Sequence, residues 1–197
     1  MDNCFSQPKR PVGLYRPEFE HDSCGVGFVA NIKGLYSHSI IDDAYTVLRS
    51  MDHRGACGAD ENSGDGAGIL TALPHQFLQR VVEEEIRTRL PETGRYAAGT
   101  IFLPQLVEER ERCKQIVESI VADQGQTVIG WRVVPTCADE AGIGRTARLS
   151  EPHIEQLFIG AKSVVDRDAF ERKLYLIQKQ ASHRLRTDSA MVQANMF

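Results

Sequence analysis

The stretch CGVGFVANIKG, Cys24 to Gly34, sets where the fold should start. Val26, Phe28, Ala30 and Ile32 alternate with smaller or polar neighbours, a period of two that predicts a half-buried β-strand. Lys33 and Gly34 supply a turn after it. Upstream, residues 1–22 carry Pro8, Pro11 and Pro17 and scattered charge without any period, which predicts an extended leader. Cys24 thus stands first in the folded region. Most free cysteines are small buried hydrophobes. Gly25 and Gly27 favour a reactive thiol instead, because they leave room for a substrate along the backbone. If the leader were cut between Ser23 and Cys24, thiol and α-amine would share one residue. An amine with a pKa of about 7.7–8.0 is partly neutral near pH 7 and can take the thiol proton directly or through a water. His21, in the irregular leader, is the other candidate base.

Outward from this stretch, the chain alternates helical and strand patterns. SIIDDAYTVLRSM places Ile40, Ile41, Ala44, Val47, Leu48 and Met51 at spacings of three and four behind Ser39, a candidate N-cap, and predicts an amphipathic helix with Arg49 in its last turn. DHRGACGADENSGDGAG reads as a loop before an apolar strand, GILTAL. Pro74 can start a helix carrying Phe77, Leu78, Val81, Val82 and Ile86. AAGTIFL and QTVIGWRVVP read as strands around a helix, EERERCKQIVESIVAD. A long connection over 136–152 precedes a strand, HIEQLFIGA, and a helix, DRDAFERKLYLIQKQASHRLR, with Phe170, Leu174, Ile177 and Ala181 on one face. The last stretch, AMVQANMF, has strand composition, and an apolar strand at Phe197 suggests a truncated domain. The fold class is mixed α/β.

Composition removes whole classes of function. The 197 residues include 42% hydrophobic ones, enough for a sizeable core, and the net charge of −4 with no basic stripe argues against a nucleic-acid partner. No apolar run approaches a membrane span and the first residues lack the apolar centre of a secretory signal, so no membrane partner and a cytoplasmic location are expected. Cys4, Cys24, Cys57, Cys113 and Cys137 form an odd set without a C-x-x-C pair, which suggests free thiols and no metal site.

The glycine-rich loop fails the familiar templates. Gly64, Gly66 and Gly68 run G-x-G-x-G into a strand, not the G-x-G-x-x-G of a dinucleotide site, and Ile69 and Leu70 follow where a P-loop needs Lys and Ser or Thr. As a calcium loop starting at Asp60 it has Asp65 where glycine is required and Thr71 where the closing glutamate belongs. Backbone freedom is what remains.

Several motifs in order carry a family resemblance: CGVGFVANIKG, then MDHRGACGADENSGDGAGIL, then LPHQF. Together they resemble the start of the large subunit of glutamate synthase, within its class II, N-terminal-nucleophile glutamine amidotransferase domain. GLYRPEFEHDSC resembles the propeptide of that family. The resemblance implies an αββα sandwich with antiparallel sheets, here incomplete, with residues 1–23 as leader and 24–197 as the first part of the domain. It implies Cys24 as nucleophile, cleavage between Ser23 and Cys24, and glutamine as substrate. Arg54 and Gly55, of H-R-G, would support the site, with a solvated loop arginine as the rival view. Asp65, Gly66 and Gly68 match the loop entering the next strand.

The family's S-R-F-S-T-N-like clamp and H-N-G-E-like oxyanion motif are not found after residue 130, where Asn195 is followed by Met196. A chain without them is expected to be inactive alone. For the full-length parent the resemblance implies FMN, an iron–sulfur cluster, a reductant (NADPH, NADH or ferredoxin), a synthase domain on the same chain and a reductase subunit. The alternatives are an amidotransferase serving another acceptor, or a non-catalytic regulatory domain of the same fold.

Overall fold

The computed structural model describes residues 25–51, 64, 66–162 and 166–187. Two compact units emerge from it: the described residues of Met1–Ala72 and Cys137–Ser150 form one, and those of Leu73–Thr136 and Glu151–Phe197 the other.

The second unit is built on a three-stranded antiparallel sheet in the order β1-β3-β2, from β1 (Tyr96–Leu103), β2 (Thr127–Val133) and β3 (His153–Gly160). β1 and β2 each pair with the central β3, so they run parallel to each other on its two sides. Helix α3 (Val107–Asp123) makes the crossover between them. α3 has Glu108 and Glu109 in its first turn, on the side of the helix dipole that favours carboxylates.

Alternation along β3 sends its side chains to two different cores. Leu157 and Ile159 pack with Val117, Ile120 and Val121 of α3 and with Phe170, Ile177 and Ala181 of α6 (Arg167–Thr187). Phe158 faces the other way, onto Leu78 and Val81 of α2 (His75–Val81), Val82, Leu90 and Tyr96. Helix therefore covers both faces of the sheet. Leu174, expected on the buried face of α6, is packed at the edge of its core. Phe77 departs from expectation and stays exposed at 45%, with the Arg80 guanidinium above its ring.

α2 starts after Pro74 as anticipated, but its continuation over Val82–Ile86 is a π-helical turn that ends at Arg87, in the left-handed region at φ 61°. The wider turn leaves Val82 fully buried and Ile86 at the sheet surface. There a register shift between Val128 and Gly130 brings Gly130 so close to Ile86 that a Cβ would lie 2.6 Å from its Cγ2. At the start of the sheet, the Tyr96 hydroxyl lies 2.9 Å from Nδ1 of His75.

Among the described residues of this unit one charge is buried. Glu155 shares the face of Leu157 and Ile159 and is held by Lys114 Nζ at 3.1 Å, His153 Nε2 at 3.3 Å and Arg110 Nε at 3.9 Å. Burying a carboxylate is tolerable only with such partners. Lys114 also sits 5.2 Å above the Trp131 ring, whose Nε1 donates to Glu118 at 2.7 Å.

In the first unit, α1 (Ser39–Ser50) occupies the span that periodicity assigns to it. Ile40, Ile41, Ala44, Val47, Leu48 and Met51 are the half-buried positions, while the residues between them are exposed. The cap differs from expectation: His38 is the N-cap residue, and Ser37 Oγ accepts the Ser39 N–H at 3.2 Å. Asn31 makes the preceding turn, its Oδ1 accepting the Lys33 N–H at 2.9 Å, with Gly34 at φ 67°. Residues 25–31 and 66–71 have no regular secondary structure, and Ile32 belongs to the turn, contrary to both strand expectations. Alternation satisfies only one face of a strand, and a strand also needs a neighbour for its backbone hydrogen bonds. The connection over 136–152 contains two short helices, α4 (Ala138–Ala141) and α5 (Arg145–Leu149), joined by an Arg148–Asp139 ion pair. AMVQANMF lies outside the described residues.

Candidate functional site

Ser23, Cys24, Arg54, Gly55 and Asp65, like His21, lie outside the described residues. What the structure does place is the chain on either side of them. Gly25 and Gly27 follow Cys24 directly, Met51 closes α1 just before the H-R-G motif, and Gly66 and Gly68 follow Asp65.

Gly25 and Gly27 each lie close to α1. A Cβ on Gly25 would lie 2.8 Å from Met51 Sδ, and one on Gly27 would lie 2.5 Å from Val47 Cγ1. Both distances are shorter than carbon contacts permit. On the side where a side chain would project, the two glycines admit the chain's own helix through Val47 and Met51, and both remain exposed. Gly66 and Gly68 behave differently. Gly66 has φ +84°, which glycine adopts at no steric cost, and a Cβ on either would meet nothing within 4 Å. At Gly66 the purely conformational role inferred from sequence suffices.

α1 is oriented with Asp42 in its first turn and Arg49 in its last, each at the favourable pole of the helix dipole. Of the thiols within the described residues, Cys113 is buried between β1 and α3, and Cys137 is exposed beside α4. Among the described residues no three His, Cys, Asp or Glu side chains are arranged to hold a metal ion, and no helix is long and apolar enough to cross a membrane.

Sequence reasoning missed the Val47 and Met51 contacts. The signal was present: two glycines two apart in an apolar-alternating run, followed by a helix with apolar residues four apart.

A segment next to a cysteine, seated on an amphipathic helix that leads into H-R-G, agrees with the wider sequence likeness. The pattern of the class II glutamine amidotransferases matches residues 24–197, and the chain belongs to that family. Within it the chain is similar to glutamate synthases. It is 41% identical over 180 residues to the glutamate synthase [NADPH] large chain of Bacillus subtilis, a match covering 91% of this chain and 12% of the relative. It is 38% identical over 177 residues to glutamate synthase [NADH] of Saccharomyces cerevisiae, covering 86% and 8%. The ferredoxin-dependent glutamate synthase 2 of Synechocystis is 38% identical over 169 residues, covering 86% and 11%. The chain spans about a tenth of the length of these relatives.

Proposed function

We propose that this chain is the opening part of the glutaminase domain of a glutamate synthase large chain, with Cys24 as its nucleophile. The observation that carries this reading is that the family match begins at Cys24, the residue at which the irregular leader gives way to patterned sequence. After cleavage between Ser23 and Cys24, the new α-amine takes the thiol proton. The thiolate attacks the side-chain amide carbon of glutamine, and the amine returns the proton to the departing ammonia. Water then hydrolyses the γ-glutamyl thioester to glutamate, and the ammonia goes to 2-oxoglutarate in the synthase part of the parent. Arg54 and Gly55 support the nucleophile's surroundings.

An αββα sandwich packs one face of each sheet on the other sheet, whereas helix covers both faces of this sheet among the described residues, so the sandwich belongs to the proposal for the parent domain and is not the layering of this unit. The sequence holds no S-R-F-S-T-N-like or H-N-G-E-like motif. Losing one oxyanion donor costs about 10²–10³ in rate, so the chain by itself should not hydrolyse glutamine. FMN and an iron–sulfur cluster belong to the synthase part of the parent in this proposal. The relatives named for NADPH, NADH and ferredoxin are about equally similar to this chain, so the reductant, and any reductase subunit, is set elsewhere.

The test is N-terminal sequencing and intact mass of the parent enzyme from its own cells, followed by labelling with an electrophilic glutamine analogue. A chain starting at Cys24, labelled there, is expected. Cys24→Ala should abolish glutamine-dependent synthesis and spare synthesis from added ammonia. A chain starting at Met1 or Asp2 that still hydrolyses glutamine would overturn the N-terminal-nucleophile mechanism.

A further inference from the structure

We infer that α1 is the register for the nucleophile, with Val47 and Met51 as positioning residues that fix the backbone leading out of Cys24. The inference rests on Cys24 being the nucleophile. Gly25 lies against Met51 and Gly27 against Val47, so the segment runs antiparallel to α1, and its start is carried to the helix's C-terminal end. The two repeats match. Two residues of extended chain advance about 6.6 Å, and four residues of helix advance about 6 Å. Each glycine therefore meets one apolar residue of the same helical ridge, and a shift of one residue along the segment would bring Val26 onto it instead.

Met51 also leads, three residues on, to Arg54, a span of at most roughly 11 Å of chain. One side chain is thus tied to both motifs: by contact to the residue after Cys24 and by covalent connection to H-R-G. The contacts are apolar and offer nothing for a proton or a substrate to bind. Their effect on chemistry is one of placement, and a misplacement of 1 Å at a reacting atom can cost about 10²-fold in rate.

Gly27 and Val47 give the cleaner test. A methyl at Gly27 would overlap Val47 Cγ1 at 2.5 Å but lies 3.9 Å from Val47 Cβ, an ordinary contact. Truncating Val47 to alanine therefore makes room for it. Gly27 has no positive φ, so its backbone accepts alanine without strain.

In the full-length enzyme, Gly27→Ala should lower kcat for glutamine-dependent synthesis about 10²-fold, slow labelling of Cys24 by the glutamine analogue to a similar degree, and leave KM for glutamine and ammonia-dependent synthesis in place. Adding Val47→Ala should restore kcat to within about tenfold of the parent. A Gly27→Ala enzyme with unchanged glutamine-dependent kcat overturns the inference. So does a loss that Val47→Ala does not restore, or a loss shared equally by ammonia-dependent synthesis, which would make the contact one of folding alone. Cys24→Ala measured beside these separates the two claims. If it keeps glutamine-dependent activity, the proposed nucleophile is wrong. If it abolishes that activity while Gly27→Ala shows no rescue, only the role of α1 falls.

Discussion

Phe158 and Phe28 are the same residue type in stretches of similar apolar alternation, yet Phe158 is fully buried and Phe28 is 91% exposed. The contrast extends to their units. All sixteen buried apolar side chains among the described residues lie between Leu78 and Ala181 in the sheet-bearing unit, and the described residues of the other unit include none. Apolar patterning states which face wants cover. It does not state whether a neighbour provides it. In the sheet-bearing unit α2, α3 and α6 close over both faces of β3. In the other, α1 half-covers its own ridge and seats two glycines on it, contacts that fix a position more than they remove area from water.

The largest test of this division is Phe158→Ala. Emptying the centre of one core should cost about 3–5 kcal/mol, read as a lowered urea midpoint of the purified chain. A shift of a few tenths of a kcal/mol would mean that the sheet-bearing unit does not hold the stability, and the comparison would break.

Glu155→Leu comes next. It leaves Lys114, with Arg110 behind it, facing an apolar side chain, and breaking a buried pair in this way costs about 3 kcal/mol, the low end of the usual range because both cations keep some contact with water. Adding Lys114→Met should recover a good part of the loss. A neutral single substitution would show that the core is held by its apolar contacts alone.

These examples mark what was legible in the sequence. α1, α3 and α6 follow from apolar spacing, and β1, β2 and β3 from short β-branched and aromatic runs bounded by turns. The order β1-β3-β2 does not, because strand neighbours are chosen by contacts remote in sequence. The strands expected over residues 24–32 and GILTAL failed for the same reason. The π-turn at Val82–Ile86 and the bulge beside Gly130 are adjustments of packing with no local code. Glu155 was within reach, since it occupies the same strand parity as Leu157 and Ile159, and Arg110 and Lys114 are four apart on a helix. At the site, the glycines beside Cys24 were visible as exceptional, and their contact with α1 was missed although the four-residue spacing of Val47 and Met51 signalled it.

A smaller effect is expected where the two faces meet solvent chemistry. Burial pushes the Tyr96 hydroxyl's pKa above its usual value, and the neutral form keeps its hydrogen bond to His75. A raised folded-state pKa means that the stabilisation is fully present below the unfolded value of about 10 and is lost as pH rises through the folded value. Tyr96→Phe should cost about 1 kcal/mol at neutral pH and remove part of the alkaline fall, so that the two unfolding curves converge above pH 10. Parallel curves across that range would place the alkaline sensitivity elsewhere.

Phe28→Ser should matter least, and for that reason it sharpens the comparison most. Phe28 gives up little contact with water in this chain, so exchanging it should move the urea midpoint by no more than about 0.5 kcal/mol. The same substitution made in the full-length enzyme asks a different question. If its cost there stays as small, the side chain is exposed in the working protein as well. If the cost rises toward that of Phe158→Ala, sequence beyond the described residues supplies the cover that β-type alternation at residues 26–32 calls for. The stretch next to Cys24 would then be a strand whose neighbour is not among the described residues, with α1 setting its register from one side and that neighbour completing its hydrogen bonds from the other.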